Sequence, residues 1–451
     1  MEKLRRIVNK IAYTPISKSH TLSPLYLSLI PILFISSKFY NISLFVRRTL
    51  YHFNILPKHK LPVPVISVGN LTWGGNGKTP MVEFIANLFL NHVRVSPLIL
   101  TRLYCEGYGG ADEARMLERH FDGTSVKVGV GANRATTAAS FIHRYGLICP
   151  TEASCFEKPI PESGVVSDKI GVAILDDGMQ HISMLRDFEL VMVNALSPWG
   201  NHQLLPFGPL REPLTSLSRV DAAVIHHADM VSDQSLSVIK STILEVNPLL
   251  PIYLSAMIPS HFLKAPNISC RLPLGLLVDK TVLCVSAIGS PNSFVQRIQK
   301  MGPLFIDRVD YSDHHQFQNK DIEMIKARLE DLKSKFGMKP IVVVTEKDYD
   351  RDSEILCRLD PFDVLVLCCK LQIIPHNSCS EDSFKKLLIG SLSKDLRIIG
   401  KSWRTARPVP STSTTCFSSE GEKHDTLSLI DWIMRSSLVH LLDWLMAVDA
   451  F

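Results

Sequence analysis

The sequence predicts an α/β fold with a mainly parallel sheet, and three observations predict it. Short apolar runs rich in β-branched residues alternate with helical patterns along most of the chain, the mark of strand–helix–strand units. The first such run, Val63 to Val68, opens into the glycine-rich turn Gly74-Gly75-Asn76-Gly77 and then Lys78-Thr79-Pro80 at the head of a helical pattern. A later run, Ile170 to Leu175, ends in Asp176-Asp177-Gly178. Glycines let backbone N–H groups approach phosphates closely, and a helix N-terminus adds a favourable dipole. The expected architecture is a P-loop NTPase-like core, a smaller C-terminal α/β lobe and an N-terminal membrane-associated helix.

Composition bounds the answer. The chain has 451 residues, with 46% hydrophobic and 21% charged, enough for two or three domains of ordinary globular character. Ten cysteines occur without a CxxC pair or a spaced Cys/His set, which argues against structural zinc and against a disulfide scaffold. There is no internal repeat and no nucleic-acid motif. The net charge of +5 is uneven, because the first sixty residues carry ten Lys/Arg against the single acid Glu2.

In chain order, residues 1–20 contain Arg5, Arg6, Lys10 and Lys18 and several hydroxyls. That composition is like an organelle transit peptide, a basic membrane-proximal segment that stays on the chain being the other reading. Residues 21–60 form a membrane-associated helical segment. It is uncharged from Thr21 to Ser37, interrupted by Lys38 and closed by Arg47-Arg48, a basic pair suited to an anionic membrane surface. A core helix of a soluble protein competes with that reading. The nucleotide-binding lobe takes 61–270, with strands at Val95 to Thr101, Val126 to Val130, Phe188 to Asn194 and Val220 to His226, and helices at Met81 to Leu90, Ala114 to Phe121 and Arg134 to Tyr145. A looser region, Ser260 to Asp279, leads to the C-terminal lobe, 271–392. Strands at Thr281 to Ile288, Phe305 to Tyr311, Ile341 to Val344 and Val364 to Cys369 and a helix at Asn319 to Phe336 are expected there. A Ser/Thr/Pro/Lys-rich linker and a tail helix fill 393–451.

The motifs carry the chemistry. Lys78 is placed to pair with β- and γ-phosphates and the Thr79 hydroxyl to sit on Mg²⁺. Thr72 stands where the usual pattern has its first glycine, and Gly74 and Gly75 supply the flexibility. Paired acids at a strand end, Asp176 and Asp177, suit an ion that takes few carboxylates besides water and phosphate oxygens. The loop from Trp199 to Pro213 is long for a compact domain and reads as functional. Asp313-His314-His315 could ligate a metal, perform acid/base work or be structural.

Taken together, Gly69-Asn70 with Gly74 to Pro80, Leu175-Asp176-Asp177-Gly178-Met179-Gln180-His181, Asn201 with Leu204-Leu205-Pro206 and Gly208 to Glu212, Asp313 to Phe317 and Thr345-Glu346-Lys347-Asp348 resemble the tetraacyldisaccharide 4′-kinase family. The resemblance spans about Leu22 to Leu392. It implies ATP- and Mg²⁺-dependent phosphorylation of the 4′-hydroxyl of an acylated disaccharide 1-phosphate at a membrane surface. It also implies that Gly74, Gly75, Asn76, Gly77, Lys78, Thr79 and Pro80 hold ATP. Thr79, Asp176, Asp177 and Gln180 would form the metal side. Asp112, paired with His314, and Lys78 would be catalytic, and Tyr108, Asn201 and Arg211 would line the substrate cleft. The transit-like start points to a mitochondrial member, another organelle membrane being the alternative.

Two other functions compete. The family's Ser-Arg-Gly-Tyr-Gly is here Thr-Arg-Leu-Tyr-Cys-Glu-Gly-Tyr-Gly, 101–109, which leaves room for a catalytically impaired nucleotide-binding scaffold. A GTPase-like protein would read its base through Thr345 to Asp348, but Glu346 stands where Asn is needed.

Overall fold

The computed structural model describes residues 2–102, 111–148, 167–268 and 270–392. The expectations for Tyr108 and for the 393–451 linker and tail helix lie outside the described residues.

Helix α1 (Glu2–Tyr13) and the 29-residue helix α2 (Pro24–His52) precede the sheet. The first lobe follows as β1 (Val65–Asn70), α3 (Lys78–Leu88), β2 (Ser96–Thr101), α4 (Ala111–His120), β3 (Lys127–Val130), α5 (Arg134–Tyr145), β4 (Ile170–Asp176), β5 (Phe188–Asn194), β6 (Ala222–His226) and α6 (Asp233–Val246). Then come β7 (Ile252–Ala265), β8 (Arg271–Leu272), β9 (Thr281–Ser286), α7 (Pro291–Gln299), β10 (Phe305–Asp310) and α8 (Asn319–Phe336). The described chain closes with β11 (Ile341–Thr345), α9 (Glu346–Arg351), α10 (Ser353–Cys357), β12 (Val364–Ile374) and a helix over 381–392, α11.

One sheet runs through both lobes in the order β10-β9-β11-β12-β7-β6-β5-β1-β4-β2-β3, with β8 beside β7. Its pairs are parallel except where β7 meets β12 and β8. The central strands β1, β4 and β5 are buried along their whole length, which is why they read as continuous apolar runs rather than alternations. Ile66, Val68, Ile174 and Leu190 pack with Met81, Val82 and Ile85 of α3. A second core forms where Leu283, Val285, Val342 and Val344 meet Ile325 and Leu329 of α8.

The join between the lobes differs from expectation. The stretch from Ser260, expected to be loose, continues β7 to Ala265, paired antiparallel with β12. The register breaks between Cys368 and Cys369, opposite Pro259 to His261. A proline beside a bulge is the form in which strands tolerate it, and it hid the strand. The chain also recrosses: Phe384, Leu388 and Leu392 of α11 join Leu371 and Ile373 in the first lobe's core.

Helix α2 is long and apolar enough to cross a membrane by length and composition. It exposes Leu25, Ile32, Ile35, Phe39, Ile42 and Phe45. Its other face is tied to the protein: Ser37 Oγ donates to Leu204 O and Tyr40 Oη to Arg211 O, both at 2.9 Å. Arg47 and Arg48, expected at a membrane surface, turn inward instead. Arg47 donates to Gln180 O at 3.0 Å, and Arg48 pairs with the buried Glu212 and with Ser216 Oγ. Burying Glu212 demands cations beside it, and Arg219 and Arg48 both supply one. The segment that reads as transit-like also packs on the core. Ile11 and Ala12 are buried, Tyr13 Oη donates to Trp73 O at 3.2 Å, and Ala12 O accepts from Asn201 N at 2.9 Å.

Candidate active site

The glycine turn lies between β1 and α3. Gly77 is the residue before the helix and adopts φ +77°, and a Cβ there would lie 2.5 Å from His226 Cδ2. Only glycine meets both demands. Pro80 sits in the first turn of α3, where a missing N–H costs nothing. Gly75 O accepts from Asn194 Nδ2 at 3.0 Å. Asn76 Nδ2 donates to Thr72 O and Oγ1, both 3.2 Å away. Thr72 in turn pairs with Leu210 of the long loop, so the threonine in the usual glycine place serves as a tie between two loops.

The parallel register of β1 and β4 sets Val68 opposite Asp176, which brings the acidic strand end beside the head of α3. Thr79 Oγ1 donates to Asp176 Oδ2 at 3.3 Å, and Lys78 Nζ lies 3.4 Å from Asp177 Oδ1. Asp176 is buried and its Oδ1 has no hydrogen-bond partner. Burial, with Glu113 and Asp177 nearby, pushes its pKa up to about 7 despite Lys78 and Arg134. Asp177 goes the other way. Burial alone would raise it, but Arg211 and Lys78 hold it well below the ordinary carboxylate range. Arg211 Nη1 grips both its oxygens at 2.9 and 2.8 Å. Arg134 of α5, buried, donates to the backbone carbonyls of Asp176 and Asp177. No sequence signal marked this arginine, since it opens an otherwise ordinary helix.

Two expected site residues also make bonds within the protein. Gln180 Nε2 donates to Asn70 O at 3.0 Å and to Glu212 Oε1 at 3.3 Å, joining a strand end to the loop. Asn201, expected to line the substrate cleft, is buried. Its Nδ2 donates to Phe207 O and its Oδ1 accepts from Gln203 N. Its amide shapes the long loop.

The second cluster comes from α4 and the C-terminal lobe. Asp112 Oδ2 accepts from His314 Nδ1 at 3.2 Å and from Arg351 Nε and Nη2 at 3.1 and 2.7 Å, while Oδ1 accepts from Glu113 N. The Asp112 side chain is wholly buried, whereas that of His314 is 32% exposed. Lys347 Nζ lies 3.3 Å from His314 Nε2, 3.1 Å from Glu113 and 3.3 Å from Asp313. Burial and Lys347 oppose a charge on His314, but Asp112, Asp313 and Glu113 outweigh them and raise its pKa above 6.5. The neighbouring histidine goes another way. His315 Nε2 bonds Asp321 at 2.8 Å and its ring stacks on Tyr311, a structural use. Thr345 to Asp348 is a helix start rather than a base-reading loop, with Thr345 Oγ1 accepting from Asp348 N.

The two clusters meet at Gly75 and Gly289. A Cβ on Gly289 would lie 2.3 Å from Gly75 N and 3.1 Å from Asp313 Oδ2, so the C-terminal lobe closes directly on the glycine turn. The resulting cleft has the glycine turn and the buried carboxylate of Asp176 on one wall. A histidine backed by a buried carboxylate stands on the other. Among the described residues no group of three or more His, Cys, Asp or Glu could hold a metal unaided.

Comparison with known proteins places the chain in a family. The family model for tetraacyldisaccharide-1-P 4′-kinase matches residues 29–388. A probable mitochondrial tetraacyldisaccharide 4′-kinase of Arabidopsis thaliana is 51% identical over 396 residues, covering 87% of this chain and 98% of the relative. The tetraacyldisaccharide 4′-kinase of Halothermothrix orenii is 32% identical over 330 residues, 70% of this chain and 81% of its own. The crystal structure of LpxK from Aquifex aeolicus in complex with ATP shares the fold, with a TM-score of 0.50 at 24% identity, over 81% of this chain and 98% of that one. The chain belongs to the tetraacyldisaccharide 4′-kinase family.

Proposed function

We propose that this chain transfers the γ-phosphate of ATP to the 4′-hydroxyl of a tetraacyldisaccharide 1-phosphate, with Mg²⁺, at a membrane surface. The observation that carries the reading is the head of α3. There Lys78 and the Thr79 hydroxyl face Asp177 and Asp176, and Asp176 keeps one buried oxygen without a partner. That orphaned oxygen beside a hydroxyl fits a hard divalent cation, so Thr79 and Asp176 would hold Mg²⁺. When bound, Mg²⁺ supplies positive charge to the phosphate oxygens as the bond to the leaving oxygen loosens. Lys78 adds a second charge, and the free N–H groups at the start of α3 add donors. Arg211 and Arg134 keep the acidic turn in place.

Proton removal falls to the Asp112–His314 pair. Asp112 is buried, so the substrate-accessible end is His314 Nε2. With Nδ1–H donated to Asp112, Nε2 is an acceptor, and an incoming hydroxyl takes the place Lys347 holds. Lys347 keeps its ion pairs with Glu113 and Asp313. A pair of this kind contributes about 10²–10⁴-fold. The apolar outer face of α2 suits an acylated substrate drawn from a bilayer. The mitochondrial name of the Arabidopsis relative and the basic start of the chain support a mitochondrial site.

The test is phosphate transfer from labelled Mg-ATP to tetraacyldisaccharide 1-phosphate in detergent micelles. Transfer that disappears in Lys78→Ala is expected. Bound ATP without transfer would replace the enzyme by a nucleotide-binding scaffold.

A further inference from the structure

Arg351 has no part in the reading so far, yet it is among the most buried cations of the described chain, with its side chain 3% exposed. Its guanidinium faces two carboxylates that are themselves wholly buried. Nε and Nη2 hold Asp112 Oδ2 at 3.1 and 2.7 Å, while Nη1 donates to Asp348 Oδ1 at 2.9 Å and to His315 O at 3.2 Å. Asp348 is fixed in turn by Ala287 N at 3.1 Å and by Thr345 Oγ1 at 2.7 Å. Ala287 O accepts from His314 N at 3.2 Å. The bonds therefore form a ring: Ala287, Asp348, Arg351, Asp112, His314 and back to Ala287. This is the use the structure makes of the Thr-Glu-Lys-Asp motif.

Resting on the kinase reading above, we propose that Arg351 is a positioning residue for the proton acceptor: it fixes Asp112 and, through Asp112, sets the orientation and proton affinity of His314. A planar fork of five donors can serve two carboxylates and a carbonyl together, and an ammonium cannot. The electrostatic consequence has a definite sign. Arg351 offsets part of the negative charge that Asp112 presents to His314. The other charged groups facing the ring are Lys347 and, among acids, Asp313 and Glu113. With Arg351 neutralised, Asp112 acts on the imidazole without its counter-charge, and His314 holds its proton to higher pH.

The experiment is the pH profile of kcat/KM and the KM for ATP in wild type, Arg351→Gln and Arg351→Lys, in micelles containing tetraacyldisaccharide 1-phosphate. Arg351→Gln is expected to move the acidic limb up by about one pH unit, with the KM for ATP within about twofold of wild type. An unmoved limb, whatever the loss of rate, would overturn the proposal, because a role in stability alone scales the whole profile down. If the Gln variant does not fold, Arg351→Lys keeps the buried charge and carries the test. A roughly tenfold lower kcat per folded enzyme at unchanged KM for ATP supports positioning. A kcat equal to wild type overturns it. A wild type without Lys78-dependent transfer would refute the kinase reading itself, not the Arg351 assignment alone.

Discussion

Glu346 is the peg between the two lobes, and replacing it by Gln has a calculable consequence. Its carboxylate accepts from Arg119 Nη2 at 3.0 Å and faces His120 Nε2 at 2.8 Å, both on α4, and it also accepts from Cys369 N of β12. His120 Nδ1 lies 3.0 Å from Glu83 of α3, and Arg119 also grips Asp350. The side chains are 6% to 23% exposed, so solvent screens them little. Burial alone would lower the pKa of His120, but its bonds to Glu346 and Glu83 push it up to about 10. A shift of that size, and the cost of breaking a buried ion pair, both come to about 3–5 kcal/mol. The sign follows from linkage. The folded pKa exceeds the unfolded value of 6.5, so the stabilisation is complete below pH 6.5 and is lost as pH rises toward 10. Thermal unfolding of wild type and Glu346→Gln at pH 6, 8 and 10 reads this directly. The variant should melt markedly lower at pH 6, and the gap should narrow toward pH 10 as His120 loses its proton, the part owed to Arg119 remaining. Parallel melting temperatures across that range would refute the assignment of His120 as a charged partner of Glu346. Because Asp112 lies on the same helix, the variant should also lose turnover.

Three further outcomes follow from particular contacts. The acidic limb of kcat/KM should lie above pH 6.5, since His314 must be neutral to accept a proton and Asp112, Asp313 and Glu113 raise its pKa; a limb below pH 6 would contradict its role. Gly77→Ala should weaken ATP binding by about 5- to 150-fold in calorimetric titration, because a Cβ meets His226 at 2.5 Å on backbone at φ +77°, an overlap costing about 1–3 kcal/mol. Removing residues 1–13 should cost about 2–3 kcal/mol of stability through loss of the buried Ile11, measured by denaturant unfolding; an unchanged midpoint would show that α1 contributes nothing to the folded enzyme.

What the sequence discloses is what is local in it. The turn from Gly74 to Thr79, the Asp176-Asp177 terminus and the helices at Arg134 to Tyr145 and Asn319 to Phe336 each depend on neighbours within a few residues. Their limits are legible for that reason. Long-range commitments are not. Nothing near Asn201 shows that Phe207 O and Gln203 N will claim its amide. Arg47 and Arg48 look like a membrane-facing pair until Glu212, far along the chain, is found buried beside Arg48. The continuation of β7 was obscured by Pro259, whose place beside a bulge depends on its partner strand. Arg351 stands three residues after Asp348, a spacing that hints at pairing, but its bond to Asp112 needs the two lobes together. Asp313-His314-His315 could be read several ways because adjacent histidines give no sign of which one turns inward.

The most direct test of the proposed chemistry is ³¹P NMR of the lipid product after incubation of tetraacyldisaccharide 1-phosphate with Mg-ATP and either wild type or Lys78→Ala. A new phosphomonoester at the 4′ position with wild type, absent with Lys78→Ala, is the expected result. Equal product from both proteins, or none from wild type that binds ATP, would contradict phosphoryl transfer at the head of α3.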